Sequence, residues 1–443
     1  MDADIVVIGA GAAGLAAARR LAARSLRVIL LEARDRTGGR VWSEPSPRAA
    51  VAVEFGAEFI HGRAPETRAL LRDAGMAAID TGGESWVHSL SGGLRQEDRD
   101  FSEAAGILDG ARALPDDESV DQFLRRCEND ETMRETVRTA RAFVEGFEAA
   151  DPAIASAQAI AGELRSGVDS ESARPLGGYR LMFERLRDGC ATAGVATCLS
   201  TAVRRIAWRR GAVTVEAKSA WGESRTLRAR AAIVTLPVGV LRHSSDETAV
   251  EFDPGLPATK NEALGFLEMG HAVKLLLWFR TAFWERLEGG RYRDAGFFRC
   301  LEGAFPAYWT QVPVRSELIV AWAGGPKATA LGGLTHAEAI GRALDGFGKL
   351  FGEPALARKE FEAGTMHDWG RDPFARGVYS YVAVGGGDAR AVLAAPVDDT
   401  LFFAGEATSN DGQGGTVNGA LETGVRAARE AAAALGAGDA IHA

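Results

Sequence analysis

A chain of 443 residues exceeds the size at which one hydrophobic core keeps growing, so two domains are expected. With 46% hydrophobic and 25% charged residues it reads as a soluble globular protein, and its net charge of −9 argues against a nucleic-acid partner. Cys127, Cys190, Cys198 and Cys300 show neither CxxC nor metal-ligand spacing, which points to reduced thiols, a cytoplasmic setting and no metal centre.

"MDADIVVIG" enters an apolar strand at once and leaves no room for a signal peptide. The strand Ile5 to Ile8 is β-branched and apolar, as a buried parallel strand should be. Gly9, Gly11 and Gly14 then satisfy G-x-G-x-x-G: the first permits a tight turn, the second admits a pyrophosphate, the third allows close helix–strand packing. A helix beginning near Ala12 aims its N-terminal amides at that phosphate. The next strand, Val28 to Leu31, ends in Glu32, placed to accept from ribose hydroxyls. This fingerprint does not separate FAD from NAD. In "RDRTGGR", Arg34 to Arg40, the arginines either form a solvated turn or approach the diphosphate a second time, with Arg40 supplying charge.

"VVIGAGAAGLAAARRL…VILLEARDRTGGRV" resembles the flavin-containing amine oxidases, which include monoamine oxidases, polyamine oxidases and histone lysine demethylases. The resemblance implies an FAD bound along Gly9, Gly11, Ala13, Gly14, Glu32, Ala33, Arg34, Gly38, Gly39 and Arg40. "VEFGAEFIHG", read alone a strand and a turn, is similar to the family segment beneath the flavin, which implies cofactor contacts from Gly56, Ala57, Glu58 and Phe59. His61 resembles a histidine of polyamine oxidases; a plain core or loop histidine is the alternative. Related amino-acid oxidases carry a carboxylate-holding arginine near Phe59, and this chain has none there.

Residues 97–170 have helical spacing and read as an insertion in a substrate domain. "RPLGGYRLMFERL" resembles the return to the nucleotide domain, and "VRRIAWRRGAVTVEAK" is a hairpin signal. "RAAIVTLPVGVL" reads as a buried strand ending at Pro237; it resembles the family strand whose end passes close to the flavin, which implies Val203 and Thr235 as cofactor neighbours.

"MGHAVKLLLWF" raises a sharper question. Val273, Leu275, Leu277 and Phe279 share one strand face, and Ala272, Lys274, Leu276 and Trp278 the other, so Lys274 sits on a strand apolar on both sides. It either snorkels from a strand end or serves a site. "FLEMGHAVKLLLWF" is similar to the family segment whose lysine holds a water against flavin N5; desolvation would favour its neutral form and let it move protons when O2 arrives.

"MHDWGRDPFARGVYSYV" resembles the segment with a flavin-side tryptophan, here Trp369, and a substrate-facing aromatic, here Tyr379. Monoamine oxidases link the flavin through a cysteine where this chain has Val378, so the FAD should be noncovalent. "LFFAGEAT" reads as a strand ending at Gly405 and Glu406. A helix from Thr416 or Val417, apolar at Val417, Ala420, Leu421 and Val425, follows. Read alone it is an ordinary amphipathic helix, and the resemblance of "FAGEAT" and "TVNGAL" to the family implies that its N-terminus faces the flavin pyrimidine. Thr416 replaces the second tyrosine of monoamine oxidases, as in polyamine oxidases and demethylases. The alanine-rich C-terminus is too short for a membrane anchor.

The expected fold is α/β, a two-domain FAD-binding Rossmann-type flavoprotein with an interwoven α+β substrate domain. The FAD domain would comprise 1–80, 175–262 and 370–443, and the substrate domain 81–174 and 263–369. The expected reaction is oxidation of a primary or secondary amine, a polyamine or aralkylamine, to an imine that hydrolyses, with O2 reduced to H2O2. Lys274, Tyr379, Trp369, Thr416 and His61 are the candidate catalytic residues, and the protein should act as monomer or homodimer, away from membranes. An L-amino-acid oxidase, a desaturase or porphyrinogen-type oxidase, and a non-catalytic FAD-binding module are the rival readings.

Overall fold

The computed structural model describes residues 1–46, 51–88, 92–97, 103–168 and 171–437. Its fold is α/β. A five-stranded parallel sheet runs in the order Ala196–Cys198, Val28–Leu31, Ile5–Ile8, Ala231–Val234, Leu401–Phe403. Ile5 pairs with Val28 on one side and Ala231 on the other. The alternation of strand side chains divides this sheet between two cores. Ile5 and Val7 join the helices Ala12–Ala22 and Val417–Ala434, while Val6 and Ile8 join a four-stranded sheet that includes Val213 and Val215. The expected hairpin is part of that second sheet: Thr201–Arg209 pairs antiparallel with Ala212–Ser219, and Gly211 takes the positive φ of +75° at the turn.

A seven-stranded sheet holds the lysine strand. Ala272–Phe279 lies between Leu318–Gly324 and Phe361–His367, and every residue of it is buried. Val273, Leu275, Leu277 and Phe279 enter an aromatic core with Trp284, Phe298 and Phe347. Leu276 and Trp278 pack the other way, with Trp309 and Val320. Both faces are therefore apolar, as the parity of the sequence predicts.

The insertion, of which 98–102 and 169–170 lie outside the described residues, is helical where described: Val120–Cys127, Arg134–Gly146 and Ala157–Leu164 follow a 3₁₀ segment, Glu103–Ala113, around Leu124 and Phe143. Three stretches read as strand are shorter. Ala231–Val234 ends before Thr235, Leu401–Phe403 before Gly405, and Val53–Glu54 is separated from Ile60–His61 by irregular backbone. The truncations share a cause. These backbones leave the sheets to line a cavity beyond the carboxyl ends of the parallel strands, where open α/β sheets bind ligands. Among the described residues, no helix is long and apolar enough to cross a membrane.

Candidate flavin and amine site

One cavity of about 930 Å³ joins the glycine fingerprint to the aromatic face of the seven-stranded sheet. At its first end lie Gly9, Gly11, Ala13, Glu32, Ala33, Arg34, Gly38, Gly39, Val203 and Thr235. Gly14 is set back from it, because its Cα packs against the Gly9 carbonyl, where a Cβ could not fit. A methyl group on Gly11, by contrast, would meet nothing nearer than the Gly39 Cα, at 3.9 Å, so the missing side chain leaves space for a ligand. Glu32 is buried and shapes the loop: Oε2 accepts the Ala10 amide at 2.8 Å and Oε1 the Arg34 amide at 2.9 Å. The Arg34 guanidinium donates to Asp372 Oδ1 at 2.7 Å, tying the loop to the segment after Trp369. Buried carboxylate, bare backbone and helix N-terminus together fit a dinucleotide.

The middle of the cavity is formed by Arg40, Gly56, Ala57, Glu58, Lys274, Trp369, Val378, Gly405, Glu406, Thr416, Val417 and Ala420. Arg40, expected to add charge toward a diphosphate, pairs with Glu406 Oε1 at 2.9 Å and donates to the Val378 carbonyl at 2.8 Å. The other Glu406 oxygen accepts from Ser380 Oγ at 2.7 Å and the Gly415 amide at 3.2 Å. Trp369 donates to the Phe55 carbonyl at 2.9 Å, and its ring edge closes on Gly56. Thr416 is the N-cap of the helix Val417–Ala434: its hydroxyl accepts the Gly419 amide at 2.9 Å and donates to the Gln413 carbonyl at 2.8 Å.

Lys274 is 5% exposed and does not snorkel to the surface. Its Nζ stands 2.8 Å from Glu58 Oε2 and donates to the Gly56 carbonyl at 3.1 Å. Glu58 Oε1 in turn accepts from Arg174 Nε at 2.9 Å and Trp309 Nε1 at 3.0 Å. Burial alone would raise the Glu58 carboxyl, but Lys274 and Arg174 hold it below the ordinary range. Nearby Glu54, buried with donors from Ser43 Oγ and the Tyr179 amide, is pushed up by burial to about 7.

The far end is aromatic: Phe59, His61, Phe147, Trp309, Trp322 and Tyr379. Tyr379 donates its hydroxyl to the Phe147 carbonyl at 2.6 Å, which ties it to the helical insertion. The His61 ring meets Phe147 edge-on at 5.0 Å and Phe59 at 5.9 Å, and burial pushes its pKa down to about 4. Every expected site residue except Gly14 therefore borders one cavity. The pairing of Glu58 with Lys274, and the participation of Arg174 and Trp309, were missed. Glu58 is 116 residues from Arg174 in sequence, and no local spacing signals such a contact.

The family model for flavin containing amine oxidoreductases matches residues 12–432, and the chain belongs to that family. Membership implies a flavin cofactor. Polyamine oxidase 3 of Oryza sativa subsp. japonica is 30% identical, the match covering 96% of this chain and 88% of the relative. Lysine-specific histone demethylase 1 homolog 2 of the same organism is 27% identical over 97% of this chain, which spans only 57% of that relative's length. Cyclohexylamine oxidase from Brevibacterium oxydans IH-35A superposes with a TM-score of 0.81 at 23% identity, covering 98% of this chain and 100% of the other. A putrescine oxidase redesigned in its cofactor binding superposes equally, with a TM-score of 0.81 at 23% identity and coverage of 97% and 99%. At that identity the structural likeness concerns the fold alone.

Proposed function

We propose that this chain is a cytoplasmic amine oxidase that binds FAD without a covalent link. On this reading it oxidises a C–N bond of a primary or secondary amine lacking an α-carboxylate, a polyamine or aralkylamine, to an imine, and yields H2O2. The observation that carries the reading is the single cavity running from Glu32 and the glycine loop, past buried Lys274, to Tyr379 and His61. A bound flavin supplies the two-electron chemistry and passes the electrons to O2.

The chain's own residues do the rest. Phe59, Phe147, Trp309 and Tyr379 give the amine arm apolar walls, which exclude water and favour the neutral amine. His61, neutral at physiological pH, borders the arm as a hydrogen-bonding group without charge. Lys274 offers an N–H donor for a water beside the flavin ring. Arg174, stacked 4.7 Å over Phe59, is engaged by Glu58 and the carbonyls of Thr310 and Val312, so it is not the clamp an α-carboxylate needs. A peroxide-coupled panel of spermine, spermidine, putrescine, benzylamine, phenethylamine and common L-amino acids tests this. Turnover is expected with amines; preference for an L-amino acid would overturn the substrate class.

A further inference from the structure

We propose that Glu58 is a positioning residue that keeps Lys274 cationic, so that Lys274 serves the cavity as a fixed charge and hydrogen-bond donor rather than as a proton acceptor. The inference deepens the amine-oxidase reading and rests on it for its catalytic consequence, but the pairing itself does not.

The argument is geometric. A lysine buried without a partner gives up its proton, because a dry site penalises the ammonium. Here the carboxylate 2.8 Å away opposes that tendency, and it cannot swing aside, since Arg174 and Trp309 both grip its other oxygen. One carboxylate between two cations leaves the buried triad with a net positive charge. The ammonium donates to the Gly56 carbonyl and stands at ion-pair distance from Glu58 Oε2; among the described residues no other protein acceptor is hydrogen-bonded to it. A fixed cation on the wall stabilises negative charge that develops beside it when electrons leave for O2.

The cross-strand neighbours of Lys274 are Trp322 and His367; His367 Nε2 lies 3.0 Å from Asp372, which Arg34 also engages. Glu54 is a second carboxyl that senses the lysine charge, and its ionisation near pH 7 strengthens the hold on the cation. Arg174 is the cation that shares the Glu58 carboxylate with Lys274.

The chain's six lysines make the test direct, because ¹³Cε-lysine NMR of the flavin-loaded protein gives few signals and Lys274→Met assigns the one required. In the parent, the Lys274 signal should keep its ammonium position from about pH 6 to pH 9, below the ordinary lysine range. In Glu58→Gln it should change to the amine position within that window. Titration of the parent signal inside the window would overturn the proposal, and so would an unchanged signal in folded Glu58→Gln. If that variant does not fold, the parent titration decides alone. The signal reads the pair whether or not any amine is oxidised, so a silent substrate panel and a failed titration remain separate results.

Discussion

A Cβ added to Gly14, in the first helix, would drive into the carbonyl oxygen of Gly9, five residues earlier in the turn that precedes it. Gly9 follows directly on the strand Ile5–Ile8, its amide donates to the Leu31 carbonyl at 2.8 Å and its carbonyl accepts from Thr235 Oγ1 at 3.2 Å, so that oxygen has little freedom to yield. Gly14→Ala should destabilise the protein by about 3 kcal/mol, the upper range for overpacking, and lower its melting temperature. Gly11→Ala should separate folding from binding: its Cβ has 3.9 Å of clearance to Gly39 but projects into the cavity. It should melt like the parent once flavin is removed, yet bind FAD at least about tenfold more weakly, ~1.4 kcal/mol. Equal flavin affinity in Gly11→Ala would mean the pyrophosphate lies elsewhere.

Val378 borders the cavity with no nucleophile on its side chain, and its carbonyl is held by Arg40 at 2.8 Å. Acid precipitation should therefore release all yellow colour into the supernatant, with the mass of free FAD. Flavin retained on the pellet would refute noncovalent binding.

Glu32 does two jobs, accepting the Ala10 and Arg34 amides while bordering the cavity. Glu32→Ala should weaken FAD binding by about 1.5–3 kcal/mol, the scale of charge-assisted hydrogen bonds left unmade. Dialysis followed by absorbance measures it; undiminished occupancy would sink the reading.

Lys274→Met preserves bulk, and Glu58 keeps Arg174 and Trp309 as partners, so the variant should fold and take up flavin. Stopped-flow traces should show flavin reoxidation by O2, flavin reduction, or both slowed by about tenfold or more, at least ~1.4 kcal/mol of transition-state stabilisation. Parent rates in both half-reactions would leave Lys274 a structural residue.

The legible parts were those where local pattern and global fold agree. Ile5–Ile8 and Ala272–Phe279 are continuous apolar runs that stay buried on both faces, and the Gly211 turn fixes a hairpin within a few residues. Thr416 as a helix start was readable because capping is a local contest among adjacent amides. Less legible were stretches where backbone leaves a sheet to border the cavity, as at Thr235–Pro237 and Phe55–Phe59, since their composition still suits a strand. Least legible was the charge on Lys274. Glu58 reaches it from 216 positions away, and Arg174 from a third segment, so a lone buried lysine in the sequence is a compensated one in the fold.

The same cavity makes stability depend on pH through His61. Its ring is packed between Phe147 and Phe59, and burial depresses its pKa from 6.5 to about 4. The unfolded chain then binds a proton at a higher pH than the folded one does. The contribution is fully present above pH 6.5 and is lost as pH falls through about 4. The loss is at most about 3 kcal/mol, less where cavity water reaches the ring. His61→Phe retains an aromatic ring and cannot titrate. Between those two pH values its melting temperature should fall less steeply than the parent's, while the two curves run parallel at higher pH. Acidic groups titrate in both proteins, so the difference between the curves isolates the histidine. Identical acid limbs would mean that His61 is freely solvated and does not border a dry amine arm.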